Sequence, residues 1–124
     1  MPHTIIWESE GLYREFTGEI SGDEILESNL ELHIHPDFQS IKYIINDFTK
    51  VTTHSIEINH TKAYATTDKV ISNSKGRLKI AIVVVNDSLI DLAQGYREQM
   101  LESLFECEIF KALESARSWT SIQQ

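Results

Sequence analysis

Two short polar segments carry the residue types that could do chemistry in this chain. The candidate binding residues are Asp47, Thr49, Thr52, Thr53, His54 and Ser55 in the first segment and Asn86, Asp87 and Ser88 in the second. An enzyme could use His54 as a base, a nearby hydroxyl as nucleophile, and Asp47 or Asp87 to orient the imidazole. No Gly-x-Ser-x-Gly or similar motif accompanies them. Ser, Thr, Asn and Asp are also the usual helix caps and turn formers, and we favour that interpretation.

Histidine spacing gives little support to a metal site. His33 and His35, followed by Asp37, are two residues apart at a predicted helix end, where their side chains should diverge. His54 and His60 are six apart and should diverge too. Cys107 is the only cysteine, which excludes an intramolecular disulfide and a site built from several cysteines. We expect Cys107 to pack as a small apolar residue, and we predict neither a metal nor a cofactor.

Composition narrows the class of partner. The 124 residues include 19 acidic and 11 basic side chains, for a formal charge of −8. Duplex DNA and anionic membranes are bound by clustered Lys and Arg, so neither is expected as a partner. No apolar segment approaches the roughly 20 residues of a membrane span. Residues 1–8 lack the basic segment and long apolar run of a signal peptide, so a cytoplasmic location is expected.

The two polar segments must be positioned by strands that end just before them. Residues 78–85 are apolar except for Lys79, and this pattern predicts a strand buried on both faces. Residues 86–88 then form a turn, and Ser88 with Asp91 resembles a capping box for the next helix. A buried strand that leads into a capped helix is the repeating unit of a parallel α/β sheet.

The remaining pattern predicts five strands and four helices. Ser21 should cap the first helix with Glu24, Thr52 or Thr53 should cap the second, and Gly76 should end the second. In the second strand Leu12, Phe16 and Ile20 share one parity, which Arg14 and Gly18 weaken. The second helix should present Ile56, His60, Ala63, Thr67 and Val70 on one face. The predicted strands are 4–7, 12–20, 41–48, 78–85 and 105–110, and the predicted helices are 21–33, 55–73, 89–103 and 112–122.

With the order β-β-α-β-α-β-α-β-α, the chain resembles the SpoIIAA-like family, which is related to STAS domains and to the lipid-binding CRAL-TRIO fold. The resemblance depends on Gly18 before an acidic helix start, on Asp47 at the end of the third strand, and on the closing segment from Phe110 to Trp119. It covers nearly the whole chain. It implies a single SpoIIAA-like domain over residues 1–124, a (βα) superhelix with about five strands. The sheet should be mostly parallel, with an antiparallel first strand.

The resemblance also sets expectations about function. Anti-anti-sigma relatives are phosphorylated on a Ser in an Asp-x-Ser-type motif. The matching segment here is Asp47-Phe48-Thr49-Lys50, in which no Ser follows at that spacing, so phosphoregulation is not expected. We predict a non-enzymatic STAS-like binding or regulatory module that acts by protein–protein interaction. The alternatives are a carrier of a small apolar ligand or lipid and a weak enzyme using His54.

Three structural features would distinguish these functions. An enclosed cavity lined by Tyr64 and Tyr96 would favour the carrier. Trp119 could add to its lining, although we favour core packing as the use of all three rings. A hydrogen bond from His54 to a hydroxyl inside a cleft would favour the enzyme. Residues 78–85 carry apolar side chains on both faces, and if the helices cover only one face, the other should be an interface. On that ground we predict a homodimer or another protein partner.

Overall fold

The structure, a computed structural model, describes residues 3–121 and confirms the predicted order of elements. The strands are β1 (His3–Trp7), β2 (Gly11–Ile20), β3 (Tyr43–His54), β4 (Leu78–Val83) and β5 (Phe105–Phe110). The helices are α1 (Gly22–Ile34), α2 (Ile58–Lys75), α3 (Asp87–Met100) and α4 (Leu113–Thr120), with a short 3₁₀ turn at Phe38–Ser40. Ile122, the predicted end of the last helix, lies outside the described residues.

The five strands form one sheet in the order β1-β2-β3-β4-β5. β1 runs antiparallel to β2, and the other neighbours are parallel. The predicted α/β architecture, with a mostly parallel sheet and an antiparallel first strand, is therefore confirmed. Every residue of β4 is buried, as its apolar pattern predicted. Cys107, in the edge strand β5, is buried in the main core, and this burial raises the pKa of its thiol to about 12.

The two faces of the sheet are covered by different helices. The front face carries Ile44, Ile80 and Ile82 and packs into one core with side chains of α1, α2 and α3. The back face carries Ile45, Ala81 and Val83, which pack against Ala116 of α4. Alternation along each strand sends neighbouring residues to opposite faces. The second apolar face of β4 is therefore covered within the chain, by α4.

Two of the predicted helix caps are wrong. Thr52 and Thr53 do not cap α2, because β3 continues to His54 and pairs with the end of β2. The α2 cap is Glu57, which forms a reciprocal capping box with His60. The pairing of Ser88 with Asp91 does not cap α3 either. Asn86 does so, since its side chain accepts from the backbone N–H groups of residues 88 and 89. Gly76 ends α2 as predicted, and the Ser21 side chain accepts the backbone N–H of Glu24 at the start of α1. The Glu24 side chain does not complete the predicted capping box, since its Oε2 has no hydrogen-bond partner among the described residues.

The inward face of α2 also differs from the prediction. The buried residues of this helix are Thr61, Tyr64, Ala65, Asp68 and Ser72, whereas Val70 is exposed. Apolar spacing alone selected the wrong face because the buried face of α2 is mostly polar. Polar side chains can be buried at little cost when they bond to one another. The partners that satisfy Asp68 are described below.

Candidate functional site

The nine predicted binding residues separate into two groups and several exposed positions. Asp47 is buried on the back face, where it accepts a hydrogen bond from the Tyr13 hydroxyl at 2.6 Å. It also accepts from the backbone and the side chain of Thr49, at 2.9 and 2.7 Å. Burial raises the pKa of Tyr13, and the Asp47 carboxylate raises it further. Asp47 therefore fixes Tyr13 and Thr49 by hydrogen bonds. Neither Asp47 nor Thr49 bonds to His54 within the described residues.

The second group links the ends of β3 and β4. His54 Nε2 lies 2.7 Å from Ser88 Oγ, and Ser88 Oγ donates to Asn86 Oδ1 at 2.8 Å. His54 Nδ1 accepts the backbone N–H of Ile56 at 3.1 Å. Because Nδ1 is the acceptor, the proton of a neutral His54 lies on Nε2, which then donates to Ser88. A base that activates Ser88 would have to accept the proton of the Ser88 hydroxyl, which is the opposite direction of donation. This group of residues therefore caps α3 and joins two loops.

The other predicted residues are exposed. Thr52 and Thr53 are exposed at the end of β3, and Ser55 and Asp87 are exposed in the adjoining segments. Sequence reasoning brought His54, Asn86 and Ser88 together correctly. None of the nine predicted residues lines the cavity that is described next.

A cavity lies between the front face of the sheet and the three helices that cover it. Its volume is about 80 Å³, it is partly open to solvent, and most of its surface is apolar. A concave, mostly apolar site with a few polar groups is the usual form of a small-ligand pocket. Apolar walls come from the sheet, from α1 and from α3, and they include Ile44, Ile80, Ile82, Val84, Ile25, Leu32, Leu89 and Ala93.

Arg14 is the charged residue that β2 places in this cavity, and it is only 3% exposed. Its Nε donates to Asn46 Oδ1 at 3.0 Å, Nη1 to Ser28 Oγ at 2.8 Å, and Nη2 to Asn29 Oδ1 at 2.8 Å. All three acceptors are neutral. Burial lowers the pKa of Arg14 to about 10, and nearby Asp68 acts in the opposite direction. The guanidinium is positioned by three elements, and the described residues offer it no ion pair.

Asp68 of α2 joins two further cavity residues. Its Oδ1 lies 3.2 Å from His33 Nε2, and its Oδ2 accepts from the Tyr96 hydroxyl at 2.5 Å. The side chains of His33 and Asp68 are 7% and 9% exposed. Burial, with the Asp68 charge beside it, raises the pKa of Tyr96 well above its ordinary value. The other nitrogen of His33, Nδ1, is buried and has no hydrogen-bond partner within residues 3–121.

The three aromatic side chains weighed as pocket residues, for which core packing is the favoured prediction, lie in different places, and Tyr64 and Tyr96 belong to the main core. Tyr64 and Tyr96 both line the cavity, and the Tyr64 hydroxyl donates to the carbonyl of Gly22 at 2.6 Å. Trp119 lies on the back face instead, packed against Phe110 with ring centroids 5.7 Å apart. The feature predicted for a carrier was an enclosed cavity, whereas this cavity is partly open to solvent.

Sequence reasoning missed Arg14, His33 and Asp68 as members of one site. The signal for Arg14 was its parity, because it lies between Leu12 and Phe16 on the face of β2 that enters the core. Charged residues are almost never fully buried unless their polar atoms are paired. Asp68 was not predicted to be buried, because it lies on a polar face of α2 and apolar spacing did not direct that face toward the core.

The two histidines of the candidate metal pattern lie apart in the structure. His33 faces Asp68, whereas His35 stacks on Trp7 with ring centroids 4.1 Å apart. Within residues 3–121, no three His, Cys, Asp or Glu side chains form a group suited to a metal ion. Over the same residues, no helix is long and apolar enough to cross a bilayer.

Comparison with solved structures gives a likeness of fold. A crystal structure of an uncharacterised protein from the DUF3478 family, with a SpoIIAA-like fold, from Shewanella loihica PV-4, is 16% identical to this chain. The match covers 95% of this chain and 91% of that one, with a TM-score of 0.48. No protein-family profile matches the sequence, and no curated protein matches it.

Proposed function

We propose that the chain is a non-enzymatic module that binds a small, largely apolar ligand in the cavity between the front face and helices α1–α3. The observation that carries this proposal is the cavity itself, with its apolar walls and its few buried polar groups. Such pockets bind ligands by burying their apolar surface, and the polar groups fix the ligand's orientation. A volume of about 80 Å³ sets the enclosed part of the ligand at a few heavy atoms.

The arrangement of His54 supports a binding role over catalysis. The imidazole donates to Ser88, which is exposed, and His54 does not line the cavity. A nucleophile activated by His54 would need its proton accepted by that imidazole. The polar groups that line the cavity, by contrast, are held in fixed positions by hydrogen bonds, as a binding site requires.

Filling the cavity tests the proposal. Ala93 of α3 lines the cavity, and Gln94 beside it is exposed, so Ala93→Leu and Gln94→Leu form a matched pair. Xenon-129 NMR should show saturable xenon binding to the native protein and to Gln94→Leu, because xenon binds against apolar cavity walls. Ala93→Leu should lose it. Native mass spectrometry of each purified protein should show a small bound mass that only Ala93→Leu lacks. Equal xenon binding by both variants, or none by the native protein, would contradict the proposal.

Protein interaction is the second candidate function, and exposed apolar side chains on α1 favour it. Leu30 and Ile34 lie one helical turn apart, and Ile34 is 83% exposed. A homodimer that used this face would bury both side chains. The same native mass spectra report the oligomeric state. A dimer that Ile34→Ser converts to a monomer would support self-association, and a monomer at tens of micromolar would count against it.

A further inference from the structure

His33 of α1 brings an unused hydrogen-bond acceptor to the cavity. Its side chain is 7% exposed and lines the cavity, and its Nδ1 is buried with no hydrogen-bond partner among the described residues. The other ring nitrogen, Nε2, lies 3.2 Å from Asp68 Oδ1. Because a carboxylate only accepts, the hydrogen of the neutral ring lies on Nε2, and Nδ1 carries a lone pair. Buried polar atoms are nearly always bonded, so Nδ1 calls for a donor that residues 3–121 do not supply.

The charges in the cavity are balanced, and this balance indicates that the missing donor is uncharged. Arg14 supplies one positive charge and Asp68 one negative charge, and both side chains are buried and line the cavity. The Asp68 carboxylate acts on the guanidinium through space, although its two oxygens bond to His33 and Tyr96. A further charge would have to be desolvated without a partner, which is costly. The missing donor therefore belongs to a neutral group.

Arg14 brings free donors to the same cavity, so a group that also accepts would fit best. Its Nε, Nη1 and Nη2 each donate once, to Asn46, Ser28 and Asn29. A guanidinium carries five N–H groups, so one remains on each terminal nitrogen. Asn29 and His33 lie one turn apart on α1, so the guanidinium and the imidazole are anchored on adjacent turns. A hydroxyl both donates and accepts, and it is small and uncharged.

We infer that the cavity binds an uncharged alcohol, whose hydroxyl donates to His33 Nδ1 and accepts from Arg14. This inference rests on the proposed function and names its ligand class. An engineered cavity of about 150 Å³ holds benzene. In proportion, a cavity of about 80 Å³ holds roughly three non-hydrogen atoms. The enclosed part of the ligand therefore matches ethanol in size, with the short carbon tail against the apolar walls.

Ethanol and dimethyl ether test the inference on the native protein, because they are isomers and only ethanol has an O–H donor. Titrations at about pH 8, where an ordinary histidine is neutral, are followed by ¹H–¹⁵N NMR of cavity amides such as those of Asn29, Asp68 and Ala93. Ligands of this size have dissociation constants of about 1 mM or weaker, so both probes are taken to several hundred millimolar. Ethanol should bind at least about tenfold more tightly, because dimethyl ether leaves His33 Nδ1 unbonded.

The ¹⁵N resonance of His33 Nδ1 gives a direct signature of the inferred hydrogen bond. A nitrogen with a lone pair resonates far from one that carries a hydrogen, and its resonance moves when it accepts a hydrogen bond. Ethanol should move the Nδ1 resonance, whereas dimethyl ether should not. A hydrogen on His33 Nδ1 in the native protein at about pH 8 would overturn the inference, since that nitrogen could not accept.

A matched pair of histidine variants locates the acceptor. His33→Gln keeps a side-chain N–H that can face Asp68 but removes the ring acceptor, so it should reduce the preference for ethanol to about twofold or less. His35→Gln changes a histidine outside the cavity, which stacks on Trp7, and should leave the preference unchanged. If His33→Gln does not fold, the two isomers and the ¹⁵N signature still test the inference on the native protein.

The outcomes separate the inference from the proposed function. If dimethyl ether binds as tightly as ethanol, the cavity binds small ligands by apolar burial alone, and the alcohol inference is overturned while the proposed function stands. Tighter binding of formate, an anion of similar size, would overturn the inference by showing that the cavity prefers a charge. If xenon binds but neither isomer shifts the cavity amides, the polar end holds only water and the inference is again overturned. If xenon does not bind either, the proposed function fails with it.

Discussion

Arg14 and Arg117 lie on opposite faces of one sheet, and each satisfies its charge in a different way. Arg117 of α4 forms a two-pronged ion pair with Glu8, at 2.6 and 2.8 Å, and both side chains are partly exposed. Arg14 is buried on the front face and bonds only to neutral side chains. The Glu8 hydrogen bonds raise the pKa of Arg117, whereas burial lowers that of Arg14.

The difference between the two arginines distinguishes what the two faces do. On the back face the ion pair ties the turn between β1 and β2 to α4, and the helix is held over Ile45 and Ala81. Packing of this kind contributes to the stability of the fold. On the front face the Arg14 guanidinium lines a cavity, and it donates three hydrogen bonds although it carries five N–H groups. A buried charge with donors to spare indicates a binding site more strongly than a saturated pair does.

Arg14→Met should give the largest change in stability. The substitution leaves three buried acceptors, on Asn46, Ser28 and Asn29, without their donor. Hydrogen bonds to charged groups are worth about 1.5–3 kcal/mol each, and part of this is offset because a charge no longer needs to be desolvated. We expect a net loss of about 3 kcal/mol in the free energy of unfolding, measured by urea titration at pH 7.

Arg97→Met is the matched control for that measurement. Arg97 pairs with Glu108 at the surface, where solvent and salt screen the charges and an ion pair adds little to stability. Its loss should therefore be small beside that of Arg14→Met. If Arg14→Met proved as stable as the native protein, the guanidinium would cost as much in desolvation as its bonds return. The contrast between the two faces would then concern binding alone.

Gly11→Ala should give the next largest effect, on the back face. A Cβ at Gly11 would lie 2.3–2.5 Å from three ring atoms of Tyr43, whose hydroxyl bonds to Glu8. The ring cannot move without disturbing the packing around Ile45, so we expect a loss of about 2 kcal/mol from overpacking. Gly95→Ala is the control, because it meets no atom within 4 Å and should gain about 0.8 kcal/mol through helix propensity. Thermal unfolding measures both changes, and a neutral Gly11→Ala would show that the back face repacks easily.

The sequence was sufficient for the architecture because its apolar periods are regular. The strand at 105–110 was predicted with its observed bounds, and β4 with both faces buried. The cover of the back face was not predicted. α4 is short, and only Ala116 of its residues is fully buried. Such a small contact leaves little apolar pattern to show which face of the sheet the helix covers.

The candidate site was harder to predict because its residues are polar and distant in the chain. Arg14, His33 and Asp68 meet only when β2, α1 and α2 pack together. Each of these residues is a polar side chain at a position that faces the core. A pattern based on apolar spacing does not identify such positions. The rim residues His54, Asn86 and Ser88 were brought together as expected, since parallel strands end at the same edge of a sheet.

Glu8→Gln should give the smallest effect, and its dependence on pH tests the back-face ion pair. Hydrogen bonds from Arg117, and next from Tyr43, lower the pKa of Glu8 from its ordinary 4.5, while burial partly opposes them. A carboxylate whose pKa is lower in the folded state stabilises the fold above its unfolded pKa, and this stabilisation is lost as the pH falls through the folded pKa. At pH 7 we expect Glu8→Gln to lose about 1 kcal/mol.

Below about pH 4.5 that difference from the native protein should shrink steadily, because Glu8 of the native protein becomes protonated and is then uncharged, as Gln is at every pH. Urea titrations from pH 7 to pH 3 measure the difference directly, and the charge repulsion common to both proteins cancels. Glu10→Gln is the control, since Glu10 pairs with Lys42 at an exposed site and its removal should change stability by a few tenths of a kcal/mol at any pH. A Glu8→Gln difference that stayed constant down to pH 3 would show that the carboxylate acts through packing. The back face would then depend on shape alone, and Arg14 would be the arginine whose charge the fold is built to keep.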